Sequence, residues 1–268
     1  MDVRKTYKLF TGGEFVRSES GRSYHAEGAN VPRASRKDLR DAVRTARAAF
    51  PGWSRRTALN RGQVLYRVAE MLDARRAQFA GLLGGGRGAG REVDAAVDML
   101  VWYAGLTDKL AQLLGTVNPV AGPYFNFTVP EPTGVVGVVA ADEPALLGLV
   151  RGLAPVLCGG STVVALASGP RPLAALCLGE VLATSDVPAG VVNVLSGHRP
   201  ELLPWLAAHM DVNAIDAAGC SPEELTAVEE AAAANVKRVV RPDGNGEPGP
   251  WRAAAFMELK TIWHPVGV

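Results

Sequence analysis

Pro132-Thr-Gly-Val-Val-Gly-Val-Val-Ala-Ala-Asp-Glu-Pro144 opens the stretch that decides the fold. An apolar segment follows, then Gly159-Gly-Ser-Thr-Val-Val-Ala-Leu-Ala-Ser168, and later Val187-Pro-Ala-Gly-Val-Val-Asn-Val-Leu-Ser-Gly197. Residues 134–140 and 161–167 are short β-branched runs bounded by Gly and Pro, the pattern of strands buried on both faces. Between them, Leu147, Val150, Leu153, Ala154 and Leu157 recur at helical spacing. A strand, a helix and a second strand in this order predict a right-handed crossover and a parallel sheet.

Downstream the alternation continues, with a helix over 201–209 and a strand over 212–217. Ser221-Pro-Glu-Glu224 then predicts a helix start: Ser221 caps, Pro222 takes the first helical position and Glu224 completes a capping box. That helix runs to Ala234, and 236–241 forms a fifth parallel strand. Five strands with four crossovers predict a doubly wound, Rossmann-like α/β sheet.

Upstream, residues 7–16 read as a hairpin around Gly12-Gly13. Ser35 with Asp38 three residues on is a capping-box-like start, and Leu39, Val43, Ala46 and Phe50 share one face until Pro51-Gly52 ends the helix. A long helix is expected over 57–83 and another over 91–114. The glycines at 84, 85, 86, 88 and 90 lack a Gly-Lys-Ser/Thr ending and follow a helix, so they read as a joint and not as a phosphate loop. Tyr124-Phe-Asn-Phe-Thr-Val129 alternates aromatic and polar residues, as a half-exposed strand does. Residues 242–255 read as a linker, and Phe256 to Trp263 as a terminal strand.

The 268-residue chain is long enough for one large domain or two small ones. With 48% apolar residues, 21% charged residues and a net charge of +1, it gives no reason to expect nucleic acid or a lipid surface as partner. No signal-peptide core or membrane-length apolar run occurs, and Cys158, Cys177 and Cys220 are odd in number, so a cytoplasmic protein with reduced thiols is expected. His25, His198, His209 and His264 show no ligand spacing, and no metal site is expected.

The deciding stretch resembles the cofactor domain of the aldehyde dehydrogenases. The resemblance rests on Pro132, Gly134, Val135, Val136 and Gly137; on Ala154, Pro155, Leu157, Gly160, Thr162, Val163 and Val164; and on Pro188, Gly190 to Val194 and Gly197. The opening hairpin and the tail also resemble that family, whose first-strand flank and last strand form an oligomerisation arm. The resemblance therefore implies a cofactor-domain-like unit over 1–241, with an arm strand near 124–130 and an oligomerisation strand over 256–268. The family's catalytic domain, which should lie between the fifth strand and the tail, is not found there.

The family's chemistry does not carry over residue by residue. Its nucleophilic cysteine lies in the segment not found here; Cys158 and Cys177 read as packing thiols. Cys220, at a helix start that lowers thiol pKa, is a weak candidate. The oxyanion-binding Asn falls near Asp142 or Glu143, where a carboxylate would repel a developing negative charge; losing one such donor typically costs about 10²–10³ in rate. The base segment aligns with residues 241–244, where Asp243 is arguable as a replacement but reads more simply as a turn residue. The Lys and Glu that hold the adenine ribose align with Leu166 and Gly169. Ser168, Gly197 and Gly219 remain as cofactor-binding positions, while Glu224 replaces the second glycine of the pyrophosphate turn. Losing two hydrogen bonds to charged groups, each worth roughly 1.5–3 kcal/mol, predicts weak or no binding of NAD or NADP.

Three readings follow from this pattern. The first is a catalytically silent relative acting as structural or regulatory partner subunit, paired with a full-length aldehyde dehydrogenase or with itself. The second is an NAD(P)-dependent aldehyde oxidoreductase that borrows a catalytic domain from another chain. The third is a solitary domain with a residual small-molecule site at the strand ends.

Overall fold

The computed structural model describes residues 5–242 and 246–267. Strands β1 (Leu9–Thr11) and β2 (Glu14–Val16) form the expected hairpin, with Gly12 and Gly13 at φ 67 and 79°. β3 (Ser23–Ala26) and β4 (Ala29–Pro32) form a second hairpin that no strong turn dipeptide announced. Helix α1 (Arg36–Ser54) begins with the capping box at Ser35, whose amide donates to Asp38 Oδ2 at 2.8 Å. It does not end at Pro51-Gly52. The helix continues through them, and burial of Trp53 offsets the helical bond that Pro51 cannot make.

The helix expected over 57–83 is two, α2 (Ala58–Asp73) and α3 (Arg76–Leu82). Neither Gly nor Pro marks the break. Arg75 leaves helical geometry there and bridges to Glu180 at 3.2 Å, which re-aims α3 and places Phe79 in the core. The helix expected over 91–114 also divides, into α4 (Gly86–Leu106) and α5 (Leu110–Leu114), joined by a 3₁₀ turn at Thr107–Lys109. In the joint between α3 and α4, Gly84, Gly85 and Gly86 all have positive φ, whereas Gly88 and Gly90 lie within α4.

After β5 (Thr116–Asn118) and β6 (Tyr124–Pro132), the chain enters the repeating unit. Its elements are β7 (Val135–Val139), α6 (Ala145–Gly159), β8 (Thr162–Leu166), α7 (Leu173–Ala183), β9 (Val192–Leu195), α8 (Arg199–Ala208), β10 (Ala214–Asp216), α9 (Pro222–Ala233) and β11 (Arg238–Val240). α6 ends at Gly160, whose φ of 95° is the left-handed cap that lets the chain turn directly into β8. The sheet order is β11-β10-β7-β8-β9-β1-β2, with β7 to β11 parallel. This is the doubly wound α/β fold the sequence predicts, extended by the β1–β2 hairpin, which pairs antiparallel with β9.

Every residue of β7, β8 and β9 is buried. Their side chains alternate between two cores: Val136, Val138, Val163 and Ala165 pack with α2, α4, α6 and α7, and Val135, Val139, Val164 and Leu166 pack with α1 and α8. The strand order reverses between β7 and β10, which opens a crevice at their carboxyl ends.

The stretch 242–255 is not a plain linker. It contains α10 (Pro250–Ala254), which buries Ala253 and sends Arg252 onto the fully buried Asp216 at 2.6 Å. Phe256, read from the sequence as the first residue of the terminal strand, precedes it and is fully buried. β12 (Met257–Pro265) then pairs antiparallel along its full length with β6, giving a separate sheet in the order β12-β6-β5. Among the described residues, no helix is long and apolar enough to cross a membrane.

Candidate functional site

The loops at the carboxyl ends of β7, β8, β9 and β10 border a cavity of about 580 Å³. Asp142 comes from the turn after β7, Gly169 from the loop after β8, His198 and Arg199 from the start of α8, and Glu224 from the first turn of α9. Tyr24 on β3 closes the other side, its hydroxyl donating to Gly169 O at 3.1 Å and its ring lying 5.0 Å from that of His198. Burial, with the charge of Glu27 second, pushes the Tyr24 hydroxyl up to about 12.

Arg199 organises this crevice. Its Nη1 donates to Gly219 O at 2.7 Å and reaches Glu224 Oε2 at 3.4 Å. Nη2 donates to Ala140 O at 3.0 Å and Asp142 Oδ1 at 2.9 Å. One guanidinium thus ties together the ends of β7 and β10 across the point where the strand order reverses. Asp142 and Glu224 were expected as unmatched negative charges; both are paired to this arginine. Glu143 is exposed and lies 3.4 Å from Arg171.

The first turn of α9 is also occupied. Ser221 Oγ accepts from Glu224 N, and Glu224 Oε2 accepts from Ser221 N at 2.9 Å, so the predicted capping box occupies two amides at a helix start that would otherwise attract an anion. The start of α6 is treated in the same way from a distance. Glu92 on α4 accepts from Leu146 N at 2.8 Å and from Leu147 N at 3.2 Å.

Of the three residues expected for cofactor binding, Ser168 is buried and its hydroxyl accepts from Arg171 N at 3.0 Å. Gly197 is packed so closely that a Cβ would lie 2.9 Å from Leu202 Cδ1. Gly219 is tighter still, with a Cβ position 2.2 Å from Ala140 O. Both glycines are explained by packing, and only Gly219 borders the Arg199 network. Leu166 is buried in the core beneath α1 and α8.

All three thiols are pushed above the usual thiol range. Cys220 is half-buried, and desolvation first, then the charge of Glu224, pushes its pKa up to about 12. This corrects the expectation that the helix start lowers it. Burial likewise takes Cys158 up to about 12 and raises Cys177, which accepts from Lys5 Nζ at 3.2 Å. Asp243, the arguable base, lies outside the described residues. A second cavity of about 210 Å³ is bordered by Tyr103, Glu143, Arg151 and Arg252. Among the described residues, no group of three His, Cys, Asp or Glu side chains is placed to hold a metal ion.

A sequence profile described as the aldehyde dehydrogenase family matches residues 21–244. The chain belongs to the aldehyde dehydrogenase family. It is 33% identical to retinal dehydrogenase 2 of Mus musculus over 264 residues, covering 92% of this chain and 50% of that relative. With aldehyde dehydrogenase, cytosolic 1, of Elephantulus edwardii it shares 30% identity over 257 residues, covering 90% and 51%. The chain spans about half the length of the curated relatives it matches. Among solved structures, an aldehyde dehydrogenase of Bacillus cereus in complex with NAD+ superposes with a TM-score of 0.81 at 26% identity, covering 88% of this chain and 50% of that one. The betaine aldehyde dehydrogenase of Staphylococcus aureus, also with NAD+, matches in fold with a TM-score of 0.82 at 23% identity, covering 88% and 49%.

Arg199 escaped the sequence reading because a lone arginine after Gly197-His198 carries no motif. Its position supplied the available cue: it opens the helix after a central strand, where the loops of a doubly wound sheet converge. Glu92 gave no such cue, since its partners lie 54 and 55 residues away.

Proposed function

We propose that this aldehyde dehydrogenase relative is catalytically silent and serves as a structural or regulatory subunit, its partner being a full-length aldehyde dehydrogenase or a second copy. The Arg199 network carries this reading. A dinucleotide's pyrophosphate needs free amides at a helix start and no carboxylate facing it. Here the Ser221 and Glu224 amides are taken by the chain's own capping box, and Arg199 is held by Asp142, Glu224 and two carbonyl oxygens. Binding a phosphate there requires breaking several charge-assisted hydrogen bonds, each worth roughly 1.5–3 kcal/mol. The raised thiols of Cys158 and Cys220 support the same reading, because the thiolate is the nucleophilic form.

The chain alone is expected to produce no reduced cofactor from NAD or NADP across a panel of aldehydes, followed by absorbance. NAD is expected to bind no tighter than roughly millimolar, a binding free energy of about −4 kcal/mol. Glu224→Gln is expected to tighten it, since it removes a carboxylate from the crevice while leaving a capping side chain. Turnover abolished by Cys220→Ala would overturn the proposal.

The second reading, an NAD(P)-dependent oxidoreductase that borrows a catalytic domain, draws on the crevice of about 580 Å³ still open beside Gly169. Micromolar NAD affinity measured by calorimetry would favour it.

A further inference from the structure

Along one face of α1, Arg36, Arg40, Arg44 and Arg47 recur at intervals of four, four and three residues, which lines up their guanidinium groups in a stripe. Little of that charge is used within the chain. Arg40 and Arg44 share Asp41, at 3.0 and 3.8 Å, and Arg47 donates to Asp211 O and Asn213 Oδ1 at 2.5 Å. Among the described residues Arg36 makes no ion pair; it lies over the Trp205 ring, 3.6 Å from the centroid.

An apolar groove runs beside the stripe. A cavity of about 330 Å³ between α1 and α8 is bordered by Arg36, Leu39, Arg40, Trp205, Ala208 and Met210. Trp205 is 43% exposed and Met210 74%. A third apolar side chain is exposed under strain. Val236, in the turn from α9 to β11, is 93% exposed and has a φ of 54°, a left-handed conformation that a β-branched residue adopts rarely. Glycine is the residue that closes such a turn freely. Lys237 Nζ donates to His209 O at 2.7 Å, which holds this turn against the one that carries Met210. A strained residue turned wholly to solvent points to a role outside the fold.

We infer that this groove docks an acidic amphipathic helix of a partner protein. Its apolar side chains would lie on Trp205, Met210 and Val236, and its carboxylates on Arg36, Arg40 and Arg44. Charge complementarity selects the occupant, since side chains three and four apart on a helix put carboxylates at the spacing of the stripe. Trp, Met and Arg are also the residue types enriched at the centre of interfaces. A nucleic acid fits less well. Arg36 already covers a face of the Trp205 ring on which a base would stack, Asp41 lies within the stripe, and the whole chain carries a net charge of only +1. The groove is at the opposite end of α8 from Arg199, and it stands whether the chain acts alone or as a subunit.

A short fluorescein-labelled helical peptide of Glu, Leu and Ala, followed by anisotropy with the full chain, is expected to bind in roughly the micromolar range. Arg36→Glu places an acidic residue in the first turn of α1, which the helix favours, and is expected to weaken binding roughly tenfold or more. Met210→Ser, at an exposed position, is expected to weaken it severalfold. Val236→Gly separates binding from folding: it relieves the left-handed strain and is expected to raise the melting temperature while also weakening binding. Arg67→Glu, on α2 across the large sheet, is expected to change nothing. No binding, equal losses from Arg36→Glu and Arg67→Glu, or equal binding of a peptide with Ser in place of Leu would overturn the inference. A single-stranded oligonucleotide that binds more tightly than the peptide and depends on Arg36 would also overturn it, and would assign the stripe to nucleic acid.

Discussion

The two main sheets meet at Thr133-Gly134, where β6 runs into β7, yet they live in opposite environments. β7, β8 and β9 are covered on both faces by the chain's own helices. The β12-β6-β5 sheet leaves Val117, Phe125, Leu259, Ile262 and Trp263 exposed, with only Asn126 and Thr128 buried on β6. One sheet is completed by the chain and the other is open. What separates them is the junction, where Arg252, Phe256 and Met257 bind the start of β12 to the large sheet.

Breaking that junction should have the largest effect on stability. Asp216 is fully buried at the end of β10, and Arg252 holds it at 2.6 Å. Removing one partner of a buried pair typically costs about 3–5 kcal/mol, because the remaining charge stays in a poor solvent. Arg252→Ala is expected to lose that amount in urea denaturation and to loosen β12 as well, since α10 leads directly into it. A loss below about 1 kcal/mol would mean that the outer sheet is held by its own strand pairing and not by the junction.

The same contrast explains what the sequence made legible. The covered strands were readable because burial on both faces demands continuous Val and Ala between glycines, as in Val135 to Val139. The outer strand 124–129 was readable because its alternation survives half exposure. The breaks at Ala74-Arg75 and Thr107 were not, since the contacts found there are with distant residues: Arg75 pairs with Glu180, and Thr107 packs on Gly62. Among site positions, the sequence places carboxylates at Asp142, Glu143 and Glu224. The pairing of Asp142 and Glu224 was not legible, because Arg199 reaches them across 57 and 25 residues of chain.

A smaller effect is expected at Glu224, where the large sheet borders the crevice. Glu224 serves two partners, the Ser221 amide in the capping box and Arg199. Glu224→Ala is expected to cost about 1 kcal/mol, the usual scale of a lost cap. Glu224→Gln keeps an acceptor for Ser221 and should recover more than half of it. Thermal melts of the two variants test this, and equal losses would assign the effect to the charge on Arg199 and not to the cap.

The most condition-dependent effect is a pH slope from Lys237, which sits buried just before the edge strand β11 and donates to His209 O at 2.7 Å. Burial pulls its pKa down from 10.5 to about 8, because desolvation disfavours the ammonium. Between those values the unfolded chain holds the proton and the folded chain releases it, so this site's contribution to stability rises with pH. It is complete above the unfolded value and is lost as pH falls through about 8. Cys158 and Cys220 act in the opposite sense: with folded pKa values of about 12, their contribution is complete below the unfolded thiol value and falls as pH rises above it. A single profile therefore mixes two slopes of opposite sign. The difference between the native chain and Lys237→Met cancels the thiols, which both proteins share. Urea midpoints at pH 7, 8.5 and 10 are expected to show the native chain gaining on the variant at each step. Parallel profiles, or a native chain that loses ground, would show that His209 O and the neighbouring Asn235 keep the ammonium charged despite its burial.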